Sequence, residues 1–80
     1  MMNITPEQIK ALIEADIADA QVSVSGDGRH FEATVISPAF AGLSRVKQHQ
    51  LVYASLGQRM ATEEIHALSI TTQLPGAAHG

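Results

Sequence analysis

Cysteine is absent from this chain of 80 residues, tryptophan is absent as well, and aromatic side chains make up only 4% of it. Without cysteine there can be no disulfide, no thiolate nucleophile and no four-thiolate metal site. That absence fits a reducing compartment. With so few aromatics, aliphatic side chains must fill the core. Charge is also sparse, at 16%, and it leans acidic: eight Asp and Glu against five Lys and Arg, a formal net charge of −3. This balance weighs against broad, nonspecific attachment to nucleic acid or to anionic membrane. No apolar run approaches the roughly 18 residues needed to span a bilayer. The opening MMNITPEQIK lacks the character of a secretory signal. A cytoplasmic protein without a membrane partner is expected. What is present is a hydrophobic fraction of 45%, enough for a globular chain, at a length that makes one domain with a marginally sufficient core.

Local signals divide the chain. Thr5 is a candidate helix N-cap, Pro6 suits the first helical position, and Gln8 completes a capping box, with Ile4 and Ile9 at the two positions of a hydrophobic staple. Ile9, Leu12, Ile13 and Ile17 then recur at helical spacing, which predicts a helix over about 6–18. Val22 and Val24, then Phe31, Ala33 and Val35, alternate with polar residues on either side of Gly26-Asp27-Gly28-Arg29, the pattern of an antiparallel hairpin. Ser37, Pro38 and Gly42 can cap, start and end a single helical turn, and Ser44 can cap a further helix over about 45–60. On that helix Val46, His49, Val52, Tyr53, Leu56 and Met60 fall on one face, with Gln48, Ser55, Gln58 and Arg59 largely opposite. Thr62-Glu63-Glu64 breaks the pattern, IHALSIT reads as a third strand, and 73–80 reads as a frayed tail after a single domain over 1–72.

The expected order is α-β-β-α-α-β: an α+β fold, a three-stranded mixed sheet with helices packed on one face. If strands 2 and 3 are neighbours, the helical connection between them makes them parallel, so they begin at the same end of the sheet. His30 precedes strand 2 and His66 opens strand 3, so the two imidazoles can converge on one rim, with strands about 5 Å apart. Their parities differ: His66 shares that of Leu68 and Ile70, while His30 is out of step with Phe31, and the glycine-rich turn would have to re-aim it. His49, in the apolar stripe, is expected to be a buried or half-buried, hydrogen-bonded core residue, and His79 an inert one in the tail. Ser44, Arg45 and Lys47, at a predicted helix N-terminus, are candidates for nucleic-acid or anion contact. No Ser/His/acid or Cys/His set and no phosphate loop can be assigned, and a histidine with Glu63 or Glu64 is too common a pairing to indicate catalysis. An enzyme is not expected.

Phe40-Ala41-Gly42-Leu43-Ser44-Arg45-Val46-Lys47-Gln48-His49-Gln50-Leu51-Val52-Tyr53 resembles the signature segment of the BolA family, and Ile65-His66-Ala67-Leu68-Ser69-Ile70 resembles its closing strand. Val24 to Phe31 looks most like its IbaG (YrbA) branch. The likeness covers roughly residues 5–72, with three segments in the right order. It implies a class II KH-like fold and an adaptor that pairs with a monothiol glutaredoxin to hold a [2Fe-2S] cluster, in iron–sulfur trafficking or maturation and stress-linked regulation. It also implies that His66 is the cluster ligand and His30 the variable second one. Two histidines can replace two cysteines on one iron of such a cluster, so a chain without cysteine supplies at most the nitrogen half, and the glutaredoxin cysteine and glutathione supply the thiolates. No cofactor is expected in the isolated chain. An apo homodimer and weak DNA binding stand as further partner readings, with a KH-like DNA-binding transcriptional regulator as the alternative function. RNA is disfavoured: a KH domain clamps its backbone with a Gly-x-x-Gly loop, and here Gly42 is followed by Leu43, Ser44 and Arg45.

Overall fold

The computed structural model describes residues 4–27, 29–57 and 67–76. Helix α1 spans Pro6–Asp16, strands β1 and β2 span Gln21–Gly26 and His30–Ile36, helix α2 spans Arg45–Leu56, and strand β3 spans Ala67–Gln73. The α1 start is the capping box read from the sequence: the Gln8 backbone N–H donates to the Thr5 hydroxyl at 3.1 Å and the Thr5 N–H donates to Gln8 Oε1 at 2.8 Å. The first of the two helices expected between the strands is a single 3-10 turn, Pro38–Phe40, capped by Ser37 as its sequence suggested. Phe40 to Leu43 then form a tight turn. The Leu43 N–H donates to the Phe40 carbonyl at 3.1 Å, and Gly42, at φ 78°, takes the left-handed position that a type II turn reserves for glycine.

Helix α2 is shorter than its apolar pattern predicts. It ends at Leu56, because Gly57 adopts φ 59° and returns its N–H to the Tyr53 carbonyl. Its buried face is also rotated from the expected stripe. Val52 and Leu56 are buried, but Val46 is 65% exposed and Tyr53 41%. Met60 lies outside the described residues. Gln48, expected to face solvent, is half-buried instead. Its amide donates to the carbonyls of Phe40 and Leu43 at 3.2 and 3.0 Å, and its Oε1 accepts from the Thr72 hydroxyl. The inward position therefore goes to a residue that can satisfy the backbone of the preceding turn, which a valine cannot.

The sheet order is β1-β2-β3, with β1 antiparallel and β3 parallel to the central β2. One face carries Val22, Phe31, Ala33 and Val35, all buried, with Val24, Leu68 and Ile70 against them, and these meet Ile9, Ile13, Val52 and Leu56 of the two helices in a single core. The other face is open and polar: Ser23, Ser25, Glu32, Ser69 and Thr71 are exposed on it. Ser37, wholly buried, closes the far end of the sheet. Its hydroxyl donates to the Ala18 carbonyl at 2.7 Å and accepts from the Ala39 N–H, while its own N–H donates to the Gln73 carbonyl at 3.1 Å. Gln73 thus belongs to β3 and not to the tail. Residues 77–80, with His79, lie outside the described residues.

Candidate functional site

Parallel pairing brings the starts of β2 and β3 together. His30, the first residue of β2, is the register partner of Ala67, the first of β3. His66 is the next residue back along the sequence from Ala67, and it lies outside the described residues, as do Glu63 and Glu64. His30 is exposed, on the polar face of the sheet, whereas its neighbour Phe31 turns into the core. Its backbone is not loose. The Asp27 carboxylate accepts from the N–H groups of both Arg29 and His30, each at 2.9 Å, and the Asp27 N–H donates to the His30 carbonyl at 3.2 Å. These bonds hold the turn in place and leave the His30 side chain toward solvent. Hydrogen bonds from the His30 and Arg29 backbones lower the Asp27 pKa, since both favour the ionised carboxylate.

Asp27 is the site residue that sequence reasoning missed. The signal was present: an Asp opening a short hairpin connection can accept from backbone N–H groups two and three residues on. Gly26 adds a second restraint. A Cβ there would lie 2.5 Å from both the His30 carbonyl oxygen and Phe31 Cδ1, so the strand end needs glycine for close approach.

The donor set suits a half-site. His30 offers an exposed imidazole on a fixed backbone, the chain contains no thiol, and among the described residues no three His, Asp or Glu gather as a metal cage.

The second group of candidates sits at the other end of the connection. Ser44 caps α2, its hydroxyl accepting from the Lys47 N–H at 3.3 Å. Arg45 and Lys47 are exposed on the first turn. The whole run from Ala33 to Thr62 contains no Asp or Glu, so a net negative chain has a locally cationic stretch. His49 is half-buried and lines a groove with Arg45, Ile70, Thr71 and Thr72, instead of sitting in the core that Val52 and Leu56 fill. No helix among the described residues is long and apolar enough to cross a membrane.

Comparison with known proteins supplies the context for this geometry. The family description "BolA-like protein" matches residues 4–77. The acid stress protein IbaG of Escherichia coli K12 is 38% identical over 68 residues, covering 85% of this chain and 81% of that protein. The DNA-binding transcriptional regulator BolA of Vibrio cholerae is 40% identical over 67 residues, 84% of this chain and 59% of that one. Among solved structures, a bolA protein homologue from Coxiella burnetii superposes with a TM-score of 0.85 at 41% identity, covering 96% of this chain and 99% of the other.

Proposed function

Because the chain belongs to the BolA-like family, we propose that it is an adaptor that pairs with a monothiol glutaredoxin and carries a [2Fe-2S] cluster as shared cargo. His66 and His30 supply imidazole nitrogen, and the partner's cysteine and glutathione supply the thiolates. The observation that supports this reading best is the parallel register of His30 with Ala67, which sets the residue after His66 beside the other candidate ligand. A coordinating imidazole must be deprotonated, so protons compete with iron for it. Such a cluster is more acid-labile than one held by thiolates alone. That behaviour suits a relative whose name is acid stress protein.

The test is to mix the protein with a monothiol glutaredoxin, glutathione, iron and sulfide. A 1:1 complex should form, with visible circular dichroism distinct from that of the glutaredoxin alone. His66→Ala should abolish that spectrum and His30→Ala should weaken and alter it. An unchanged glutaredoxin spectrum, or a wild-type spectrum from His66→Ala, would refute the proposal.

A DNA-binding regulator is the second reading. It is favoured by the acid-free run around Arg45 and Lys47 and by the name of the Vibrio cholerae relative. Duplex affinity should then fall with salt by a slope of only a few phosphate contacts, and Arg45→Ala should flatten that slope by about one contact. Weak binding that ignores sequence at physiological salt counts against it.

A further inference from the structure

The groove beside α2 meets β3 in an informative way. Its lining includes three consecutive residues of the strand, Ile70, Thr71 and Thr72. Successive strand side chains point to opposite faces of a sheet, so a groove that touches all three runs along the strand's backbone edge. This is the outer edge of β3: the strand pairs with β2 on one side and with no described residue on the other. Exposed edges are usually blunted by charge, proline or a bulge. Here Ala67–Gln73 contains no charged residue and no proline, and its register with β2 runs unbroken from His30 to Ile36. The opposite wall is cationic and polar, formed by Arg45 and His49 one helical turn apart, and no carboxylate lines the groove, whose volume is about 200 Å³.

We propose that this groove receives an extended acidic peptide segment of a partner protein, which adds as a strand to the edge of β3 and sets a carboxylate against Arg45 and His49. Backbone pairing supplies the affinity and the carboxylate fixes register, the division of labour usual in strand addition. Charge complementarity selects the sign: Arg45 lines the groove and no carboxylate does, in a chain that is otherwise net acidic. A single nucleic-acid strand fits less well, since such sites stack successive bases on a row of aromatic side chains and no Phe, Tyr or Trp lines this groove. The inference is independent of the cluster reading. From Ala67 to Thr71 is four strand steps, about 13 Å, so a segment in the groove leaves the His30 rim accessible.

The experiment follows backbone amide and histidine side-chain resonances as an acetylated, amidated heptapeptide, Thr-Ser-Val-Glu-Val-Ser-Thr, is titrated into the intact protein. Expected are shifts confined to Leu68–Leu74, Arg45 and His49. Affinity should fall about fivefold or more, roughly 1 kcal/mol, when the peptide's Glu is replaced by Gln or when the exposed Arg45 is changed by Arg45→Gln, and it should be unaltered by His30→Ala. A peptide N-methylated at alternate amides should not bind. Equal binding of the methylated peptide, shifts at the His30 rim instead, or absence of binding would overturn the proposal. So would tighter occupation of the groove by an oligothymidine about twelve nucleotides long, or concentration-dependent shifts of the same amides in the protein alone, which would assign the edge to a second copy.

Discussion

Gly26 and Phe31 face each other at the turn end of the hairpin, and the Phe31 ring occupies the space a side chain on Gly26 would need. The requirement is one of approach and not of backbone angle, because Gly26 is not among the residues at positive φ. Gly26→Ala should therefore force Phe31 off its place in the core and lower stability by about 1–3 kcal/mol, the usual range for overpacking. Chemical denaturation measures it, and a neutral result would mean that the ring has room to move. Ser37 shows the complementary case, a polar side chain wholly buried yet satisfied in both roles, as donor to Ala18 and acceptor from Ala39.

At the scale of elements, the hairpin turn and the candidate rim are one unit with its own pH response. The folded-state pKa of Asp27 is depressed, so its stabilising bonds are complete above the ordinary carboxylate range and are lost as pH falls through the lowered value. Asp27→Asn should thus shallow the loss of thermal stability below about pH 4 and leave the midpoint of acid release of a cluster where it was. A shift of the release midpoint in that variant would tie release to the turn and not to the ligands. The same elements show what sequence pattern carries. The capping box of α1, the hairpin and the Ser37-Pro38 turn were legible because each rests on short-range chemistry between fixed offsets. Helix α2 was misread because counting apolar residues cannot see that Gln48 is needed inward, to bind Phe40 and Leu43 and to meet Thr72 from β3. Its true face depends on carbonyls brought close by the turn before it. At the site, the His30 register followed from topology alone, while the Asp27 clamp required weighing one side chain against its own backbone.

At the scale of the whole molecule, the chain divides its chemistry. The core is aliphatic apart from Phe31 and Phe40, one sheet face is covered by helices, and every acidic residue lies outside Ala33–Thr62. The parallel pairing that builds the rim has a consequence in time. The β1–β2 hairpin closes across a few residues and can form within about 1–10 μs. Joining β3 to β2 must first close the entire segment from Ser37 to His66, at a larger entropic cost. β3 should be the last strand to lock, after the folding barrier is crossed. Val22→Ala, in β1, should then slow refolding, whereas Ile70→Ala, in β3, should leave the refolding rate nearly unchanged and speed unfolding. Stopped-flow chevrons of the two variants distinguish this order from its reverse. The strand bearing the residue next to His66 would thus be the last to join during folding and the first to leave when the molecule opens.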